Sequence, residues 1–168
     1  MTTLLLVRHG QTTDNVAQIM QGQTQGCLTD EGRCQAALLA AELAVRPIDA
    51  IVSSDLQRAI DTAAVIAGPH GLEVATTPLL RERDWGSFTG RFIPSLKGET
   101  WPDDIESLEK LLSRAMLFLD FIREHYAGKT VVAVGHGIIN KAVQAVFYRK
   151  QMSEIERMAN AEVRTLIL

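Results

Sequence analysis

Two short apolar runs, Leu4-Leu5-Leu6-Val7 and Val131-Val132-Ala133-Val134, each stop abruptly at a histidine beside glycine, in Arg8-His9-Gly10 and in Gly135-His136-Gly137. A run of this length that never alternates with polar residues fits a strand covered on both faces, as in parallel sheets between helical layers. Its carboxyl end opens into a loop, where ligands of open α/β sheets collect. At such an end Arg8 offers a planar fork of donors suited to phosphate or carboxylate oxygens, and His9 a nitrogen able to act as ligand, base or nucleophile. Gly10 lets the backbone turn and come close to a ligand. The alternative is a strand-end histidine satisfied by its own neighbours.

Between these runs the chain alternates helical and extended patterns. After a polar, Gln-rich loop, Thr29 is placed to cap a helix that carries Asp30 and Glu31 in its first turn and runs to about Leu43. Pro47 breaks it, and Ala50-Ile51-Val52 reads as a second buried strand ending in Ser53-Ser54. Ser54 and Gln57 have capping-box spacing, and Leu56, Ala59, Ile60, Ala63 and Ala67 recur at helical intervals. Arg58 then falls in a first turn, where a cation is disfavoured unless an anion is shared; pairing with Asp55 or Asp61 on a solvated face is the plainer reading.

Gly68-Pro69 ends that helix, His70 is expected to be exposed in the following turn, and Leu72 to Thr76 reads as a strand near a sheet edge. The stretch from Leu79 to Gly90 suits an ordered loop in which Glu82 is a candidate general acid, unless it pairs with Arg81 or Arg83. Residues 91 to 104 are irregular, and Trp101 there either covers a pocket or packs. Leu108, Leu111, Leu112, Ala115, Leu119 and Ile122 mark a core-facing helix ended by Gly128, with His125 suited to its C-terminal dipole. A further helix starts at once after His136, setting that histidine near a helix N-terminus, and Val163 to Leu168 reads as a last strand.

At 168 residues and 46% hydrophobic, one domain over 1–168 with one core is expected. A net charge of -3 provides no basic stripe for a nucleic-acid partner. Met1 leads directly into the first strand without a leader-like segment, and no apolar run approaches membrane-spanning length, so a cytoplasmic protein with no membrane partner is expected. Cys27 and Cys34 form no C-x-x-C pair and read as free thiols, with Cys34 filling helix-face space. The four histidines show no metal-ligand spacing.

Alternating strands and helices predict a three-layer α/β/α sandwich with a mostly parallel central sheet, in which three separate junctions deliver Arg8-His9, Arg58 and His136. Five segments stand in order along the chain: Arg8-His9-Gly10-Gln11-Thr12 with Asn15; Gly22, Leu28-Thr29 and Gly32; Ser53-Ser54 with Leu56, Arg58, Ala59, Thr62 and Ala63; Glu82 with Gly86 and Gly90; and Gly135-His136-Gly137. On these the chain resembles the histidine phosphatase superfamily, the group that includes cofactor-dependent phosphoglycerate mutase, over nearly its whole length.

The resemblance implies a phosphoglycerate mutase-like fold and a metal-independent, cofactor-free phosphatase of small phosphate esters. It implies that His9 attacks phosphorus to form a phosphohistidine, that Arg8, Arg58 and His136 surround the phosphoryl oxygens, and that Glu82 protonates the leaving oxygen. It also matches Gly10, Asn15, Gln21, Gly22 and Gly137 to phosphate or substrate contacts, and it leaves room for a homodimer. Hydrolysis is favoured over mutase-type transfer, because only a short irregular link follows the acid loop. The residues after His136, Ile138, Ile139, Asn140 and Lys141, depart from the mutase pattern. Protein phosphohistidine hydrolysis and a non-catalytic anion- or partner-binding module are the other readings.

Overall fold

The structure is a computed structural model describing residues 1–168. Its elements are β1 (Thr3–Arg8), α1 (Thr13–Ala17), α2 (Asp30–Leu43), β2 (Ala50–Ser54), α3 (Gln57–Ala67), β3 (Val74–Thr77), α4 (Leu108–His125), β4 (Thr130–Gly135), α5 (Gly137–Tyr148) and β5 (Val163–Ile167). The sheet order is β3-β2-β4-β1-β5, parallel throughout except for β5, which runs antiparallel to β1.

Side-chain alternation along the two apolar runs produces the layers. Leu4, Leu6, Val131 and Ala133 turn to one face and pack with Leu111, Phe118, Leu119 and Ile122 of α4 and Ile139 and Val143 of α5. Leu5, Val7, Val132 and Val134 turn to the other and pack with Leu39 and Leu43 of α2 and Ala59, Ala63 and Ile66 of α3. Both faces are thus sealed from water, which accounts for the absence of polar residues from either run. The result is the expected three-layer sandwich. No helix is long and apolar enough to cross a membrane.

Register sets the three junctions side by side. Arg8 pairs with Gly135 and Ser53 with Val134, so the carboxyl ends of β1, β4 and β2 finish level on adjacent strands. β5 enters the sheet beside that same end of β1, Val163 opposite Val7, which brings the preceding loop to the site.

Several local expectations are corrected. The Gln-rich loop contains α1, whose Thr12 and Asn15 form a reciprocal capping box. Ser54 and Gln57 form none: α3 begins after Leu56, and Ser54 Oγ accepts from Leu56 N at 3.2 Å. Gln25 caps α3 from outside instead, its side-chain oxygen taking Gln57 N at 2.9 Å and its carbonyl Arg58 N at 3.1 Å. Cys34 is exposed, because the buried stripe of α2 runs through Gly32, Ala36, Leu39, Ala40 and Leu43 and misses it. His70 is half-buried, with Nε2 enclosed and unpartnered. The helix read as stopping at Gly128 ends at His125, capped by Tyr126 N on Ile122 O.

Gly10 and Gly32 owe their identity to a backbone crossing. A Cβ on Gly10 would stand 2.5 Å from Gly32 O, and one on Gly32 would collide with the carbonyl of Gln11. Gly32→Ala is therefore expected to destabilise the fold by about 1–3 kcal/mol, as overpacking does. Urea unfolding checks this, and an unchanged midpoint would refute the crossing.

Candidate active site

Each junction supplies a side chain in a fixed chemical state. At the end of β1, His9 Nδ1 lies 2.7 Å from the carbonyl of Gly10, which can only accept, so Nδ1 carries the hydrogen. His9 Nε2 is left with its lone pair and no partner in the chain. Gly10 itself is clamped, its N–H donating to Thr62 Oγ1 at 3.1 Å. Burial, reinforced by the Arg58, Arg8 and Arg157 charges, pushes the His9 pKa down to about 3 against a weaker upward pull from the Gly10 bond. His9 is thus a neutral imidazole at physiological pH.

Arg58, at the start of α3, is buried to 1% exposure and bonds to neither Asp55 nor Asp61. Those acids are taken by Arg81 and by the Gln57 amide. Arg58 Nε donates to His136 Nδ1 at 3.2 Å, Nη2 to Gly22 O at 2.8 Å, and Nη1 to the carbonyls of Thr24 and Gln25. Because Arg58 can only donate, His136 Nδ1 is the acceptor, and its Nε2–H donates to Ser54 Oγ at 2.8 Å. Burial, then the charges of Arg58 and Arg8 and the neighbouring His9, hold the His136 pKa well below the usual imidazole value. The two histidine rings lie with centroids 5.1 Å apart.

Glu82 is buried and pairs with neither adjacent arginine. Its Oε1 accepts from Ile139 N at 3.0 Å and Arg83 N at 2.8 Å, and its Oε2 from Ile138 N at 3.1 Å. The carboxyl group therefore sits on the open N–H groups that begin α5, the end of a helix that favours negative charge. Arg114 of α4 fastens the loop behind it, donating to the carbonyls of Leu79 at 2.9 Å and Arg81 at 2.6 Å while pairing with Glu106 at 2.8 Å.

These groups meet at a cavity of about 150 Å³ walled by Arg8, His9, Arg58, Glu82, Arg157 and Gln21, with Asn15 and Gly22 at its edge. Trp85, Met20, Ile19, Ile93 and Ile138 supply apolar wall. Backbone pairing of residues 18–20 with 90–93 straps the rim, through Met20 N on Arg91 O, Gly90 N on Met20 O and Ile93 N on Gln18 O. Trp101 stays outside the lining, packed edge-on to Trp85 with the Arg83 guanidinium over both rings.

Not every expected contact residue reaches the wall. Gly10 and Gly137 lie behind it: Gly10 orients His9, and Gly137 leaves room for Arg157, whose Nε a Cβ there would approach to 3.0 Å. His136 is fully enclosed and acts on the wall through Arg58. Arg157 and Arg114 were not singled out in the sequence. Arg157 precedes the last strand, and only the antiparallel pairing of β5 with β1 carries it to this end of the sheet. No group of three or more His, Cys, Asp or Glu side chains is placed to share a metal ion.

The site's protonation makes a linkage prediction. Unfolded histidine takes a proton near pH 6.5, whereas folded His9 does so only near 3. The stability this provides is complete above pH 6.5 and is lost as pH falls towards 3. The unfolding free energy should then decline by about 1.4 kcal/mol per pH unit for each buried neutral histidine. His9→Asn should flatten that decline between pH 6.5 and 5 by about one histidine's share, and an identical slope in urea titrations would count against a neutral His9.

Comparison with known proteins agrees with this geometry. Residues 4–168 match the histidine phosphatase superfamily (branch 1). The chain is 35% identical over 186 residues to a metal-independent phosphoserine phosphatase from Arabidopsis thaliana, covering 99% of this chain and 76% of that protein. It is 36% identical over 152 residues to a probable phosphoglycerate mutase GpmB from Yersinia enterocolitica, covering 82% and 71%. Among solved structures, a mycobacterial glucosyl-3-phosphoglycerate phosphatase complexed with VO3 superposes with a TM-score of 0.90 at 30% identity, covering 98% of this chain and 92% of that one. The chain belongs to the histidine phosphatase superfamily (branch 1).

Proposed function

We propose that the chain hydrolyses small phosphomonoesters by way of a phosphohistidine on His9, without a metal ion. The observation that carries this reading is His9 itself: its Nδ1–H is committed to Gly10 O, and its Nε2 lone pair is free in a cavity walled by three arginines. In the first step Nε2 attacks phosphorus and the bond to the ester oxygen breaks. The imidazole ring gains positive charge as the P–N bond forms, and the Nδ1–H bond to Gly10 O becomes charge-assisted and stronger.

Negative charge on the phosphoryl oxygens is met by Arg8 and Arg58, which stay protonated at neutral pH although burial lowers both to about 10. Each such contact is commonly worth about 3 kcal/mol in the transition state. In the step that breaks the ester bond Glu82 acts in its protonated form, giving that proton to the departing alkoxide and becoming the carboxylate. Oε2, with one amide donor against two on Oε1, is the oxygen free to carry it. In the second step Glu82 takes a proton from water, the resulting hydroxide attacks phosphorus, the P–N bond breaks, and His9 returns neutral with phosphate released.

Support for hydrolysis over mutase-type transfer comes from the rim. The site is strapped by the short 90–93 segment and opens directly onto a wider outer chamber, so water can reach the phosphohistidine. The phosphatases among its relatives favour the same reading.

Phosphate release from p-nitrophenyl phosphate, 3-phosphoglycerate, phosphoserine and sugar phosphates, measured with EDTA present, tests the proposal. Release should survive EDTA and vanish in His9→Ala, and loss of activity on chelation would overturn it. Glu82→Gln should slow esters of poor alkyl leaving groups by about 100- to 10,000-fold, the usual contribution of a general acid, and p-nitrophenyl phosphate much less. Equal losses on both would remove Glu82 from the proton-donor role.

A further inference from the structure

Behind Glu82 lies an enclosed ion pair that does not line the cavity. Arg114 on α4 and Glu106 just before that helix meet through Nη2 and Oε1 at 2.8 Å and through Nε and Oε2 at 3.1 Å. Only 17% and 11% of the two side chains are exposed. The other N–H groups of the guanidinium reach the loop that carries Glu82. Nη1 donates to Leu79 O at 2.9 Å and Arg81 O at 2.6 Å, and Nη2 donates to Glu82 O at 3.4 Å. Glu106 grips the far side of Glu82: its N–H donates to Asp84 O at 2.8 Å, its Oε1 accepts from Asp84 N at 3.1 Å, and its carbonyl accepts from Arg83 Nε at 2.8 Å. An ion pair this enclosed contributes little net stability, and apolar side chains of similar volume commonly do as well or better. Leu111, Ala115 and Phe118 already give α4 an apolar core face on either side of Arg114. Packing alone leaves the pair unexplained.

We infer that Arg114 is a positioning residue for proton delivery by Glu82, acting with Glu106 as a two-sided clamp on residues 79–84. This rests on the general-acid role proposed above and adds the groups that hold the acid in place. The mechanism itself creates the need for a clamp. The N–H groups of Arg83, Ile138 and Ile139 hold a carboxylate more strongly than a neutral carboxyl, whereas the first step uses Glu82 with its proton on. In that state the side chain is held least by those amides and depends most on where its own backbone stands. The carbonyls of Leu79, Arg81 and Glu82 are all fixed to one planar guanidinium, and Gln23 Nε2 adds a bond to Glu82 O at 3.2 Å. The reach of Glu82 towards the departing oxygen is therefore referred to α4, whose core face is fully buried. A lysine at 114 keeps the charge opposite Glu106 but has no fork with which to hold these acceptors together.

The test compares p-nitrobenzyl phosphate with p-nitrophenyl phosphate, which are close in size and uncharged in the alcohol part; only the benzyl oxygen needs a proton to leave. kcat/KM is measured, since it covers the step that phosphorylates His9 and excludes the later hydrolysis. Arg114→Met should lower kcat/KM for the benzyl ester by about 10- to 100-fold, as misplacing an acid does, and for the phenyl ester by about threefold or less. Arg114→Lys should fall between. In a Glu82→Gln background, where no proton is delivered, Arg114→Met should change neither ester by more than about twofold. Equal losses on both esters, or a loss that persists in that background, would overturn the inference, as would an unchanged benzyl ester. Glu106→Gln serves the same comparison if urea unfolding shows Arg114→Met to be unfolded. A readout without turnover is amide hydrogen exchange at Ile138 and Ile139, whose acceptor is the Glu82 carboxyl. Protection there should fall by about tenfold in Arg114→Met and recover in part in Arg114→Lys, and unchanged protection would overturn the clamp. Failure of the phosphatase reading shows separately, as no phosphate release from either ester by the unsubstituted protein.

Discussion

A buried guanidinium loses several kcal/mol of hydration unless its N–H groups find acceptors, and Arg58 finds four, three in one loop and one on a distant histidine. Its fork gathers the carbonyls of Gly22, Thr24 and Gln25 while its Nε–H holds His136. Because the same loop brings Gln25 to the bare N-terminus of α3, the helix that carries Arg58 is itself capped by the segment Arg58 holds. The tautomer of His136 follows from this one bond, and with it the use of Ser54. The site is therefore a set of mutually dependent parts, and Arg58 is structural and chemical at once.

The cavity gathers three arginines around one carboxylate while keeping both histidines neutral. This follows from burial and from sign: enclosed imidazoles beside fixed cations do not protonate, whereas a guanidinium starts from so high a pKa that a fall to about 10 leaves it charged. A neutral imidazole and charged guanidinium groups can then share a few ångströms without exchanging a proton. Cations this close repel one another, and a phosphoryl group shared among them offsets that repulsion.

Much of this was legible in the sequence because it is carried by strand ends. Leu4–Val7 and Val131–Val134 announce strands buried on both faces, and whatever stands at their carboxyl ends must meet if they are neighbours in the sheet. What escaped notice depends on long-range placement. Arg157 is one more arginine in a polar loop until β5 is known to run antiparallel beside β1. Arg114 falls among the charged residues of an amphipathic helix, and its reach to the carbonyls behind Glu82 is set by packing. The misread cap at Ser54 has a similar origin: a local pattern suggested a box, while the hydroxyl was used by His136 and by Leu56 N. Gly10 and Gly137 are matched to substrate contacts by the family resemblance; in the structure neither lines the cavity, and a Cβ on either would meet Gly32 O or the Arg157 guanidinium.

The placement of β1 at the centre of the site bears on how the molecule is made. β1 is the first strand of the chain, yet its two partners in the sheet are β4 and β5, the last two. While the chain is being synthesised, the strand that carries Arg8 and His9 has no neighbour to pair with until almost everything else has emerged. α2, β2, α3 and β3 can associate earlier, since their contacts are local, but loop closure across the chain must precede the contacts that hold Arg8 and His9. A nascent or C-terminally shortened chain would thus leave Arg8 and His9 without the neighbours that hold them, so the cavity forms only in molecules whose last strands are in place.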